Sequence, residues 1–233
     1  MKSALWGAGL LALVGASPAL AADLPVKAAP VASVYDWTGF YIGGNATIIH
    51  ADKRWDYLGP LLPTGPDGNQ RIDGAFGGVQ AGFDYQVGSW VLGLSAQGDW
   101  GEARGSAASL LFPGVQTNRS LINAFGLFGG RLGYALNNVL FYGKGGVGGV
   151  HDKYDVFDTG TGLTLATASE TRFGPSAGFG FELAFSEHVS IAGEYNHVFL
   201  GRRDLVFSTG DIYRIRQDLD VFAVHLNYRF NGR

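Results

Sequence analysis

The chain contains no cysteine. An exported protein of this composition gains nothing from disulfides, so its stability must come from packing or from a membrane. A zinc centre has no support either. The five histidines, at positions 50, 151, 188, 197 and 225, show neither H-x-x-x-H nor H-E-x-x-H spacing. Past the first residues no apolar run reaches the roughly 18 residues of a membrane-crossing helix, and amphipathic helical patterns are scarce. Positive charge is not in excess: 17 basic residues stand against 20 acidic ones, a net charge of −3. That balance argues against nonspecific nucleic-acid binding. There is no G-x-S-x-G elbow for a nucleophilic serine. His197 and Ser208 are the nearest approach to a rim-borne Ser/His pair, and His50 and His151 could meet as a solvated pair in outer loops. Neither carries a recognisable spacing, so no catalytic residue, metal or cofactor is expected.

One stretch does resemble a nucleotide site. In "FYGKGGVGGV", residues 141–150, Gly143, Gly145 and Gly148 fit G-x-G-x-x-G. A phosphate loop also needs a lysine, a metal-holding hydroxyl and a following helix whose N–H groups bind the anion. Gly149 and Val150 stand where the lysine and hydroxyl would fall, and "HDKYDVFDTGTG" follows, with turn residues and no helical period. The motif fails on chemistry and on context.

What the chain has in abundance is glycine, 37 of 233 residues, about twice the usual level. Aromatic residues, at 13%, are also plentiful, which sets the chain apart from disordered glycine-rich sequence. The start, "MKSALWGAGLLALVGASPALAADLP", has Lys2, an apolar segment from Ala4 to Val14, Pro18, and an A-x-A site at Ala19–Ala21. It reads as a secretory signal over 1–21, followed by a Pro/Ala linker over 22–35 and a β-barrel over 36–233.

Period-two alternation recurs along that last region. In "VSIAGEYNHVF", Val189, Ile191, Gly193, Tyr195 and Phe199 oppose Ser190, Ala192, Glu194 and Asn196. Near the end, Phe222, Val224, Leu226, Tyr228 and Phe230 oppose His225, Asn227 and Arg229. Eight such segments fall at about 37–49, 72–86, 90–101, 117–135, 139–151, 169–185, 189–203 and 213–230. Short links at 87–89, 136–138 and 186–188 alternate with long ones at 50–71, 102–116, 152–168 and 204–212. Short and long links alternating over an even strand count describe an up-and-down meander with four long loops at one end.

A soluble sandwich also alternates, but two features favour lipid. Tyr85, Trp90, Tyr134, Phe141, Phe185, Tyr228 and Phe230 end the apolar faces near the short links, as an interfacial aromatic girdle would. Arg131, Lys144, Arg172, Glu182, Glu194 and Arg229 lie mid-strand on the polar faces, where a narrow lumen would hold them as a paired charge network. Hydrocarbon satisfies no backbone group, so the sheet must close. The expectation is an all-β, eight-stranded antiparallel up-and-down transmembrane β-barrel. Gly146, Gly148, Gly178 and Gly180 then face inward beside long charged neighbours, which accounts for the false phosphate loop.

At residues 36–46, "DWTGFYIGGNA", the chain resembles the outer-membrane immunogenic protein family, small eight-stranded porin-family barrels of the OmpA-like type. "GRLGYALNNVLFYGKGG" is similar to that family's fourth-to-fifth-strand hairpin, and "EYNHVFLG" and "VHLNYRF" to its last two strands. The resemblance covers nearly the whole exported chain. It implies a surface-exposed structural or antigenic barrel in the outer membrane of a Gram-negative bacterium, with no catalytic residues to carry over. Its implied partners are outer-membrane lipid and, through the C-terminal strand, the barrel-assembly machinery. One departure is that Asn231-Gly232-Arg233 follow Phe230, where such barrels usually end on an aromatic residue. The rival readings are a narrow porin for small solutes or ions and a loop-borne binding or adhesion protein.

Overall fold

A computed structural model describes residues 35–59 and 64–230. The expected leader, all of the linker but Tyr35, and the Asn231–Arg233 tail lie outside the described residues. Eight strands follow in order: β1 (Gly39–Tyr57), β2 (Gly65–Val87), β3 (Trp90–Ala108), β4 (Gln116–Leu136), β5 (Val139–Asp158), β6 (Thr164–Ala184), β7 (Val189–Val206) and β8 (Ile212–Arg229). Each pairs antiparallel with the next, and β8 returns to β1 to close the barrel. Closure gives every strand a neighbour on both sides, so that the wall has no open sheet edge running its length.

The short links hold the turns that tight hairpins require. Gly88 lies at φ 60° and Asn137 at φ 55°, the left-handed region that lets a two-residue turn follow the twist of its strands. The links at the opposite end run over 58–64, 109–115, 159–163 and 207–211, much shorter than the sequence pattern indicates. The strands extend instead: β1 runs to Tyr57 where a limit near 49 is expected, and β2 begins at Gly65 where a start near 72 is expected.

The reason is an inversion of polarity along the wall. In the lower part of β1, Phe40, Ile42 and Ile48 are exposed on the outside, while Tyr41 and Thr47 are buried inside. Above Ile48 the same alternation continues with its chemistry exchanged. His50, Asp52 and Arg54 point outward, and Ile49, Ala51 and Trp55 are buried. β8 mirrors it: Phe222, Val224, Leu226 and Tyr228 face out below, Asp220, Asp218 and Arg216 face out above, and Val221, Leu219 and Ile215 fill the inside. The lower half is built for lipid and the upper half is a water-soluble barrel on the same strands. Continuous outward apolar faces end where the polarity flips, so the sequence pattern stops β1, β2, β3, β5 and β6 short of that end, while β4, β7 and β8 run close to their expected limits.

Register also shifts near the strand ends, at Asp67 of β2 and Leu165 of β6, and between Trp100 and Ala103 of β3; further into the wall two bulges change which residues point inward. β4 carries an extra residue at Asn123, where its register shifts against β5 between Ile122 and Ala124. β7 carries one at Leu200, between Phe199 and Gly201, with Gly201 at φ 67°. Such bulges insert one residue and turn the following side chains to the other face.

All seven residues of the expected girdle are exposed on the outer wall beside the short turns. Trp90 and Tyr134 meet edge to face with ring centroids 5.4 Å apart, and Tyr228 and Phe230 at 5.3 Å. Trp100, Phe128, Phe173 and Phe199 form a second set of exposed rings near the height where polarity inverts. Between the two sets the apolar band is about ten residues per strand, enough to cross the hydrocarbon when tilted.

Candidate functional site

Charged and polar side chains converge in the lumen, which is stacked in layers. At the short-turn end the chain entering β1 folds back beneath the barrel. Trp37, fully buried, packs with Tyr35, Val91, Ala135, Leu140, Tyr142 and Ala184 and closes that mouth. Its backbone N–H donates to Gln86 Oε1 at 2.8 Å. In the sequence, residues 35–38 read as linker end and strand start, with no sign of this role.

Above Trp37 sits a buried quartet of charges. Arg131 donates through Nε to Asp84 Oδ1 at 2.8 Å and through Nη1 to Glu182 Oε2 at 2.9 Å, and its Nη2 also bonds Asp84. Arg229 Nη2 donates to Asp84 Oδ2 at 2.8 Å and lies 3.8 Å from Glu182 Oε1. Ser190 and Asn227 donate to the remaining capacity of Glu182, at 2.5 and 3.1 Å. Arg131 lies between the Tyr41 and Tyr142 rings, 4.9 Å from each centroid. Two guanidiniums thus share two carboxylates with most acceptor sites filled, the condition under which buried charges are tolerated. Asp84 is the member that sequence reasoning misses. Its signal is present, because Phe83 and Tyr85 face outward and alternation puts Asp84 inside.

The next layer centres on Glu194. It accepts from Lys144 Nζ at 2.8 Å, Tyr142 hydroxyl at 2.9 Å and Asn196 Nδ2 at 2.6 Å. Asp99 accepts from Thr47 at 3.0 Å and Gln97 at 2.8 Å. Gly180 explains part of the glycine excess here: a Cβ there would lie 2.6 Å from the Tyr142 hydroxyl oxygen, displacing the ring that holds Glu194. Glu194→Ala leaves the Lys144 ammonium buried without its carboxylate. It should cost about 1–3 kcal/mol, read as a lower denaturant midpoint of the refolded barrel.

Above the charges the lumen turns dry. Ile49, Ile72, Phe76, Ala103, Ile122, Phe125, Leu127, Val150, Val198, Leu219 and Val221 belong to one buried apolar cluster across all strands except β6. The sequence pattern leads to the expectation of one paired charge network in the lumen, with Arg172 among its members. The wall above the inversion instead turns apolar residues inward, so charge is confined to layers.

A second polar layer lies over this cluster. Lys53 Nζ donates to Asp152 Oδ1 at 2.6 Å, both side chains fully buried, and sits 4.5 Å from the Tyr154 ring centroid. Both residues fall in segments that read as loop in the sequence. Arg172 belongs here and stands apart from the lower network. It lies 3.6 Å from Glu170 and donates Nη2 hydrogens to the carbonyls of Gly201 at 3.0 Å, Ile215 at 3.3 Å and Leu200 at 3.4 Å. The β6–β7 ladder runs only from Ser176 opposite Val198 to Ala184 opposite Ser190. Above it the Arg172 guanidinium supplies donors to β7 and β8 carbonyls. Trp55, Tyr57, Tyr154, Phe207 and Tyr213 cap the layer, with Trp55 5.6 Å from both Tyr154 and Tyr213.

The weaker sequence candidates separate. His50 and His151 are on strands β1 and β5, facing outward. They bond Asp73 at 2.5 Å and Thr171 at 3.0 Å and do not meet, because the strands carry them to different sides. His197 bonds Asp220 at 2.7 Å, and Ser208 lies in the β7–β8 link beside the Thr167 backbone.

This geometry agrees with what the chain is similar to. The 31 kDa outer-membrane immunogenic protein of Brucella melitensis biotype 1 is 29% identical over a 249-residue alignment covering 99% of this chain and all of that protein. The 22 kDa outer membrane protein of Rhizobium leguminosarum bv. viciae is 29% identical over 192 residues, 80% of this chain and 75% of its own length. The crystal structure of the outer membrane protein OprG from Pseudomonas aeruginosa shares the fold, with a TM-score of 0.53 at 14% identity over 83% of this chain and 96% of that one. The resemblance to outer-membrane immunogenic proteins thus extends over the full chain, and the protein resides in the outer membrane of a Gram-negative bacterium. A family model for the outer membrane protein beta-barrel domain matches residues 9–230, and the chain belongs to that family.

Proposed function

We propose that the protein is a structural, surface-exposed barrel whose lumen is plugged by its own side chains and whose outward-facing links carry its contacts. The observation that supports this best is the dry layer between two polar ones. An ion passing the buried cluster of Ile49, Ile72, Phe125, Leu127, Val198 and Leu219 would lose its hydration without gaining a partner. Eight strands leave room inside for side chains and little else. Its relatives named as immunogenic proteins support a surface role for the links 109–115, 159–163 and 207–211. The partners that fit are outer-membrane lipid around the apolar band and the barrel-assembly machinery at the C-terminal strand; no enzymatic role is proposed.

Planar-bilayer recording tests the reading. Protein shown to be folded by its heat-dependent gel mobility should give no steady conductance. Reproducible single channels would overturn the plug and favour a narrow porin.

A further inference from the structure

The outer wall above the apolar band carries an unusual row. Arg202 of β7 lies opposite Arg216 of β8, and Arg216 opposite Arg54 of β1, so three arginines stand side by side on adjacent strands. All three are exposed. Like charges directly opposite one another across a sheet are destabilising. The row also depends on a backbone irregularity. Along β7 the even-numbered residues from Ser190 to Leu200 are buried, so simple alternation would turn Arg202 into the lumen. The bulge at Leu200, with Gly201 in the left-handed region, turns Arg202 outward onto its two neighbours.

The row is poorly neutralised by the protein itself. Arg54 approaches Asp56 only to 3.7 Å, and Arg216 approaches Asp218 only to 4.0 Å. Among the described residues Arg202 has no carboxylate within ion-pair distance. Elsewhere on the same wall the arginines pair tightly, Arg119 with Asp155 at 2.8 Å and Arg214 with Asp204 at 2.7 Å. The three side chains therefore present guanidinium donors to something outside the chain.

Height identifies what that is. Arg54 lies six residues above Ile48, the last exposed apolar residue of β1. At about 3.3 Å per residue and a tilt near 40°, Arg54, and Arg216 by the same count from Phe222, stand roughly 15 Å above the hydrocarbon edge, while on β7 only Leu200 and Gly201 separate Arg202 from the exposed Phe199. A phospholipid headgroup layer is only about 5–7 Å deep. The row faces sideways from the wall, along the membrane surface, and not upward with the links. We propose that Arg54, Arg202 and Arg216 form a lateral docking site for an acidic glycolipid of the outer leaflet, one whose sugar headgroup carries phosphate or carboxylate groups above the acyl chains. Guanidinium forks match such anions bidentately. The site is independent of whether the lumen conducts.

The experiment uses the refolded full-length protein in detergent micelles, with retained lipid counted by native mass spectrometry. The probes are a rough-type lipopolysaccharide with a phosphorylated inner core, lipid A lacking that core, and soluble dextran sulfate. The wild type should retain the core-bearing lipid at least tenfold better than R54Q/R202Q/R216Q. R119Q, on another part of the wall, should behave as wild type, and lipid A should bind all three proteins alike. The lipid should raise the melting temperature of the wild type and not of the triple variant. Without lipid the triple variant should melt no lower than wild type, since it loses like-charge contacts and no tight pair. Equal retention of the core-bearing lipid by wild type and triple variant would overturn the proposal. So would preferential, row-dependent capture of dextran sulfate with no such dependence for the lipid, which would assign the row to a soluble polyanion.

Discussion

Asp84→Ala should lower the unfolding free energy of the barrel by about 3–5 kcal/mol, a larger loss than Glu194→Ala produces one layer above. Asp84 is fully buried and is the carboxylate shared by both Arg131 and Arg229. Removing it leaves two buried guanidiniums against Glu182 alone, with Arg229 still 3.8 Å from that carboxylate. Neither arginine can escape to solvent, because Trp37 closes the mouth below and the dry layer lies above. The penalty is that of uncompensated charge, not of a lost contact. It follows that replacing all four members with apolar residues of similar volume should recover most of the loss. Urea unfolding in lipid vesicles measures both, provided the slope is unchanged so that the midpoint reports stability. A single variant within 1 kcal/mol of wild type would mean that water reaches the quartet.

The lower half of the barrel is legible in the sequence because lipid imposes the simplest pattern a strand can carry. Phe222, Val224, Leu226 and Tyr228 must be apolar together, and the residues between them are inward by geometry. Arg131, Glu182 and Arg229 emerge in this way, and Lys144 with Glu194. Asp84 obeys the same rule but escapes notice, because "FDYQV" reads as a strand end near a turn. The upper half is hidden for a different reason. In "HADKRWDY" the alternation is intact, but Ala51, Lys53, Trp55 and Tyr57 are inside and His50, Asp52 and Arg54 outside. With polarity reversed, the segment reads as a charged loop. Lys53 and Asp152 become recoverable once a charged run is tested for period two. The bulges at Asn123 and Leu200 do not, since one extra residue leaves no compositional trace except Gly201. Arg172 reads as inward from its strand alone, but its position in the upper layer depends on where the polarity flips, which no single strand reveals.

The inversion makes a quantitative prediction within one strand. Phe179 and Ser169 both point outward from β6, ten residues apart. Phe179 is 64% exposed and lies in the middle of the apolar band between Phe173 and Phe185. Phe179→Arg should destabilise the barrel by about 2–4 kcal/mol in lipid vesicles, the cost of placing an arginine at the hydrocarbon midplane. Ser169→Arg lies above the second set of aromatic rings, where outward neighbours are polar, and should cost about 0–1 kcal/mol. A water-soluble barrel would give the opposite ranking for the first variant, because an exposed phenylalanine replaced by arginine removes apolar surface from water. Denaturant unfolding of the two variants side by side, in vesicles of one composition, separates the cases. Equal, small effects would mean that lipid does not contact Phe179, and the boundary drawn between the two halves of the wall would have to move below it. A large loss at both positions would move the boundary upward past Ser169, and with it the height assigned to the arginine row.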